Sequence, residues 1–294
     1  MDVKPISVGM ERPASIYISD VEFARRLRRG MIFAQIPLSL QILMPGPGTR
    51  PEEMRLPLVL FVPGGGFMSP QMYWRVPWAA RLAERGFVVA MPQYRGAEES
   101  PFPSQVEDVL TAIRFLRAHA DNYGIDPDRI VLMGGSAGAH IALLAAYAGD
   151  RFHAPDDDLS IPVDVCGVID LYGPADKRSM VPEDWPEEAA AASPPGRLVG
   201  GLDIRKHPEA IAPTIVANYI QKDVKLPPTL ILHGSADDIV PFSQSVQLAD
   251  ILEEAGQDVD FYRVEGAGHA TPEFFQPEVI DLYEAFVHRV TGGR

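Results

Sequence analysis

From Leu58 onward, short apolar runs alternate with amphipathic segments. Leu58–Val62, Phe87–Met91, Ile130–Met133, Val165–Leu171, Thr229–Leu232 and Val259–Val264 are rich in β-branched residues and bounded by turn residues. Runs of this kind are expected to be buried parallel strands. The segments between them read as helices. Val106, Val109, Leu110, Ile113 and Leu116 recur at helical spacing behind a Ser104/Glu107 capping-box signature. Gly138–Ala148 is small and apolar enough for a helix buried against the sheet. Gln244–Ala255 stops at Gly256, as a helix with a glycine C-cap does, and Pro277–Val290 reads as the last helix. Alternating strands and helices predict an α/β fold with a mostly parallel central sheet flanked by helices.

Two segments break the alternation. Residues 1–57 contain Ile32–Leu43, one or two antiparallel strands expected at the sheet edge, then a Pro/Gly-rich turn at Pro45–Gly48. Residues 174–227 are rich in proline, alanine and charge and are expected to form a modest cap over the site rather than a separate folding unit. No repeat is visible, so residues 1–294 read as one domain.

Charge narrows the function. Forty acidic against 26 basic residues give a formal net charge of −14, which disfavours a general nucleic-acid binder and adsorption to anionic membranes. Cys166 is the one cysteine, so no intrachain disulfide and no cysteine-rich metal site can form. Its run, Val163–Leu171, places it in the core. Met1–Pro13 has no apolar stretch of signal-peptide length, and no run reaches spanning length. A cytoplasmic location is the expectation. Arg25, Arg26, Arg28 and Arg29 read as a solvated basic face. Asp156–Asp158 reads as a loop, without the ligand spacing of a metal site.

The candidate chemistry starts at Gly134-Gly135-Ser136-Ala137-Gly138, a G-x-S-x-G between a strand and a small-residue helix. So sharp a turn needs glycines beside the serine and presents its hydroxyl at the carboxyl end of the sheet, in front of a helix N-terminus. A serine hydroxyl needs a base to take its proton. Among seven histidines, His269 follows the last strand in a Gly-Ala-Gly-His loop. His119 and His288 fall on polar helix faces, His153 and His207 in polar loops, and His140 inside the helix after Ser136. An acid must orient the base, and the segment after Thr229–Leu232 offers Asp237 or Asp238. Leu58–Val62 runs into Pro63-Gly64-Gly65-Gly66-Phe67, where glycines let backbone N–H groups approach a reacting oxyanion. The spacing lacks the Lys-Ser/Thr ending of a phosphate loop.

These motifs resemble, over roughly Leu56–Val290, the α/β-hydrolase carboxylesterases of the hormone-sensitive-lipase and feruloyl/acetylxylan-esterase type. Pro63–Phe67 resembles their oxyanion motif. Gln93-Tyr94-Arg95 with Pro101-Phe102-Pro103 resembles a structural stretch after the next strand, and Tyr123–Ile130 leads into the serine motif as it does there. Their His-Gly-x-x-Asp-x-x-Val-Pro motif implies Asp237 as the acid and a structural role for His233. The resemblance also implies Gly65, Gly66 and Ala137 as oxyanion-hole donors, a choice the sequence alone leaves open. Pro63 stands where many such enzymes carry histidine, a departure from the lipase-like branch. The order Ser…Asp…His is that of the α/β-hydrolase fold.

The function implied is hydrolysis of short-chain or aromatic esters, acetyl or feruloyl in type, by Ser136, His269 and Asp237. The substrate would be a small molecule or carbohydrate, and neither cofactor nor metal is called for. An arylformamidase-like amidase on the same triad is the enzymatic alternative, and a binding protein on a decayed hydrolase fold the non-enzymatic one. Phe67, Met68, Tyr73 and Trp74 follow the glycine loop and are candidates for an acyl or aromatic pocket, with core packing as the other reading. Trp185 is a candidate to project from the cap toward substrate.

Overall fold

Leu58, Leu60 and Val62 point to one apolar cluster and Val59 and Phe61 to another, so this strand is buried on both faces. That alternation, repeated across neighbouring strands, builds the molecule as a sheet between two helical layers. The structure, a computed structural model, describes residues 15–27, 34–46 and 54–292. Eight strands, β1 (Ser15–Leu27), β2 (Gln35–Pro45), β3 (Leu56–Val62), β4 (Val88–Pro92), β5 (Ile125–Gly135), β6 (Gly167–Leu171), β7 (Thr229–Gly234) and β8 (Val259–Val264), form one sheet in the order β1-β2-β4-β3-β5-β6-β7-β8. The β1/β2 and β2/β4 pairs are antiparallel and the rest parallel.

Val106, Val109, Leu110 and Ile113 of the helix Ser104–Ala118 pack on one face. Ala79, Leu82 and Ala83 of Val76–Ala83 and Ile280, Tyr283 and Phe286 of Pro277–Thr291 cover the other. The helix Ala137–Ala148 is buried at every position but Ala146, which is why its sequence carries no polar stripe. No helix among the described residues is long and apolar enough to cross a membrane.

Several expectations are corrected. β1 went unforeseen because most of its residues are exposed or half-buried and its ladder with β2 is broken by two register shifts. Antiparallel edge strands do form, but the second begins at Gln35, and Ile32 and Phe33 lie outside the described residues, as do Met1–Pro13, Arg28, Arg29 and the end of the Pro45–Gly48 turn. Arg26 is not part of a solvated face. It is buried, with Nε donating to Asp108 (3.1 Å) and Nη1 to Asp156 (2.7 Å), while Arg25 is exposed beside Glu22. Ser104 is not an N-cap, because the helix is entered from Pro103 with no side-chain cap. The Ser104 hydroxyl pairs with Ser100, and Glu107 accepts from Arg95 at 2.8 Å. Cys166 precedes β6 and is only half-buried, its thiol donating to the Asp128 carbonyl. The glycine stop does occur: Gly256 has φ +71°, and the amides of Gly256 and Gln257 return to the carbonyls of Glu253 and Leu252.

Candidate active site

The chain passes from β3 to β4 on one side, then crosses back to β5 on the other. Such a reversal opens a crevice at the carboxyl ends of the two central strands, where ligands bind in open α/β sheets. The glycine loop leaves β3 there and Ser136 leaves β5. Register places Val62 beside Gly134, so close that a Cβ on Gly64 would strike the Gly135 carbonyl oxygen and one on Gly138 the Val62 carbonyl oxygen. Glycine at both positions is therefore a packing requirement. The loop is tied down from the stretch after β4: the Tyr94 hydroxyl donates to the Pro63 carbonyl (2.9 Å) and the Ala97 amide to that of Phe67 (2.7 Å).

Ser136 has φ +55° and ψ −126°, a strained backbone for a non-glycine residue. Its Oγ lies 2.9 Å from His269 Nε2, and His269 Nδ1 lies 2.7 Å from Asp237 Oδ2. Loops after β7 and β8 carry the last two residues, joined by the Ser235 amide to Val264 O and the Ala236 amide to Ala267 O, each 3.0 Å. Asp237 Oδ1 accepts the amides of Ile239 and Val240, both at 2.9 Å, and Oδ2 also lies 3.2 Å from His233 Nε2. Burial pushes the Asp237 carboxyl up, but hydrogen bonds from His233, His269 and the two amides outweigh it and hold the group well below the usual range. His233 is fully buried between Ser245 Oγ (2.7 Å) and the Val240 carbonyl (2.9 Å). Asp238 is exposed.

Gly65 (φ +144°) and Gly66 (φ +61°) adopt backbone angles that side chains resist. Ala137 opens its helix, so its amide has no partner within that helix. All three line, with Ser136 and His269, a cavity of 390 Å³. Pro174, Lys177, Met180, Pro194 and Pro195 of segment 174–227 close one side. The segment is built of short helices (Glu187–Ala192, Pro194–Leu198, Pro208–Ile211) around Val181, Ala190, Ile204 and Ile211.

Of the candidate substrate contacts, Phe67 and Trp74 line the cavity and Met68, Tyr73 and Trp185 do not. Tyr73 is turned outward with its hydroxyl on Asp20 (2.9 Å), and the Trp185 carbonyl accepts from Arg205 (2.9 Å). The sequence reading missed Arg75 and Lys177. A cation inside the aromatic stretch Phe67–Trp78 was a readable signal for Arg75; Lys177, between Asp176 and Arg178, looks like any solvated charge run. Lys177 is buried with Nζ 2.8 Å from His140 Nε2, and His140 Nδ1 donates to the Pro174 carbonyl (2.8 Å). Burial pushes both groups toward their neutral forms.

Asp170, at the end of β6, gives a pH prediction. Burial raises it to about 6, against the Gly173 amide bond and the nearby His233, and its Oδ2 has no hydrogen-bond partner among the described residues. Between its ordinary 3.8 and about 6 the folded protein keeps a proton the unfolded chain has released. Stability from this group is therefore full below the lower value and lost as pH rises through the higher one. Asp170→Asn keeps the acceptor for Gly173 without the charge. Its unfolding free energy should gain on wild type as pH rises from 4 to 7, by ~3 kcal/mol in all. Urea titrations of both proteins at each pH check this; a difference that stays flat rejects it.

A parallel sheet extended by an antiparallel edge, a serine at a strained strand–helix turn, and a histidine and aspartate on the following loops together define an α/β-hydrolase. The chain belongs to the BD-FAE family, which matches residues 40–252. It is 30% identical over 258 residues to a probable isoprenylcysteine alpha-carbonyl methylesterase of Oryza sativa subsp. japonica, covering 86% of this chain and 60% of that protein. A truncated carbohydrate esterase from gut microbiota superposes with a TM-score of 0.81 at 26% identity, covering 96% of this chain and 98% of that one. An esterase of Thermogutta terrifontis with propionate bound gives a TM-score of 0.69 at 28% identity, covering 87% and 90%. The chain spans 50% to 60% of the length of the first curated relatives it matches.

Proposed function

We propose that this protein is a serine carboxylesterase. The observation that carries the reading is the unbroken relay from Asp237 Oδ2 through His269 to Ser136 Oγ, at 2.7 and 2.9 Å. Ser136 Oγ attacks the ester carbonyl carbon as His269 Nε2 takes its proton. The tetrahedral oxyanion is met by the amides of Ala137, Gly65 and Gly66. Collapse breaks the C–O bond, the alcohol leaves with the proton from His269, and water, deprotonated by the same histidine, releases the acid from the acyl-serine. Asp237 orients the imidazole and offsets its charge.

Short acyl groups or an aromatic acyl group, on a carbohydrate or phenolic alcohol, are the preferred substrates in this reading. A bounded cavity with a proline-edged side supports it, as do the carbohydrate esterase and propionate-bound esterase among the similar structures. Segment 174–227 acts as a cap that closes the acyl site. One methylene is worth ~1–3 kcal/mol in such a pocket. Acetyl to butyryl or feruloyl esters should therefore exceed C10 and longer esters by at least about tenfold in kcat/KM. A panel of aryl esters of graded chain length measures this. Rates that climb with chain length, or activation at a lipid–water interface, would return the protein to a lipase-like role.

A further inference from the structure

Arg75 ends the turn Tyr73–Arg75 and folds back into the molecule, only 4% exposed. Its guanidinium carbon lies 3.7 Å from the Trp74 ring and 4.4 Å from that of Trp78. Stacking of this kind occupies the faces of a guanidinium and leaves the N–H donors at its edge. Arg75 has no carboxylate partner among the described residues, and its Nε and Nη1 have no hydrogen-bond partner there. The Tyr172 hydroxyl adjoins the guanidinium and favours its charge, and the Tyr172 ring lies edge-on to His269 with centroids 4.9 Å apart. A buried charge without a counter-ion is costly to maintain, and this one lines the same cavity as Ser136 and His269.

The cavity around it is electrostatically unlike the rest of the chain. Acidic residues outnumber basic ones 40 to 26 in the sequence, yet no aspartate or glutamate lines the cavity among the described residues. Its cationic side chains are Arg75 and Lys177, and the Lys177 amine is already engaged by His140 and the Thr214 carbonyl. Of the two, Arg75 is the cation whose Nε and Nη1 have no partner among the described residues. A planar guanidinium matches a carboxylate in shape as well as sign.

We infer that Arg75 is a specificity-determining residue that receives a carboxylate carried by the ester, on its acyl or its alcohol part, so that monoanionic esters are the preferred substrates. This rests on the serine-esterase reading above. Two matched pairs test it: an aryl hemisuccinate against the same aryl butyrate, and 4-acetoxybenzoate against its methyl ester. The first pair carries the carboxylate on the acyl side, the second on the alcohol side. In at least one pair the charged member should lead by about tenfold or more in kcat/KM, the scale of a hydrogen bond to a charged group. Arg75→Met keeps the length and apolar packing between the tryptophans; it should bring that ratio to one or below, the larger loss falling on the charged ester. A binding titration of benzoate against benzamide supplies a readout that needs no turnover, with benzoate bound by wild type and not by Arg75→Met. Ratios at or below one in both wild-type pairs, or a preference that survives Arg75→Met, overturn the proposal. Should neutral esters also resist hydrolysis, the esterase reading falls, and the benzoate titration still decides the role of Arg75. Should Arg75→Met fail to fold, the wild-type ratios and titration decide.

Discussion

Ser136→Ala is expected to lower kcat on every accepted ester by about 10⁴–10⁶-fold while leaving the fold and KM nearly unchanged. The size follows from what the hydroxyl does. Without Oγ no acyl-enzyme forms, and the remaining route is attack by water on an ester held near the glycine loop and Ala137. Removing a triad nucleophile leaves only the modest acceleration that binding and oxyanion donors provide. The fold should tolerate the change, because the strain at φ +55° belongs to the backbone turn and is held by the Ser136 amide bonded to Leu171 O at 2.9 Å. Steady-state rates, far-ultraviolet circular dichroism and loss of labelling by a fluorophosphonate measure these together. Wild-type turnover by the alanine protein would end the proposed mechanism.

Asp237→Asn should lower kcat by about 10²–10⁴-fold, and the geometry says why an amide fails there. The amides of Ile239 and Val240 both donate to Oδ1, so the asparagine oxygen is held at that position. Its NH2 group must then face His269 Nδ1, which has to accept. The imidazole proton is driven to Nε2, the nitrogen that faces Ser136, and a protonated Nε2 cannot act as base. The same NH2 also meets His233 Nε2, whose other neighbour, the Val240 carbonyl, makes it a donor. A local donor–donor conflict adds to the loss. Asp238 is exposed and makes none of these bonds, so Asp238→Asn should be mild. Kinetics on both variants, with unfolding curves as control, check the pair; reversed severities would move the acid one residue along the chain.

The proposed mechanism depends on elements legible at very different ranges. β3, β5 and β7 could be read because a strand buried on both faces has no polar position to disguise it. The serine, its flanking glycines and the loops bearing Asp237 and His269 could be read for a related reason. A turn that brings backbone this close to β3 admits only small residues, and that demand is written locally. β1 could not be read, because its faces are mostly exposed and its pairing partner β2 supplies what its own pattern lacks.

The sequence by itself therefore determined the alternation of strands and helices, the position of the strained serine, and the loops that carry Asp237 and His269. Each is imposed by neighbours a few residues away: the pleat, the turn, the helix repeat. Tertiary structure alone decided that Arg26 is buried on Asp108 and Asp156, that Tyr73 and Trp185 lie off the cavity wall, and that Lys177 docks on His140. It alone decided that Arg75 is buried beside the site with no carboxylate partner among the described residues. A charged or aromatic side chain is equally at home in solvent or in a pocket. Which it occupies depends on the groups that distant segments bring within hydrogen-bonding or stacking reach, and no local pattern encodes them.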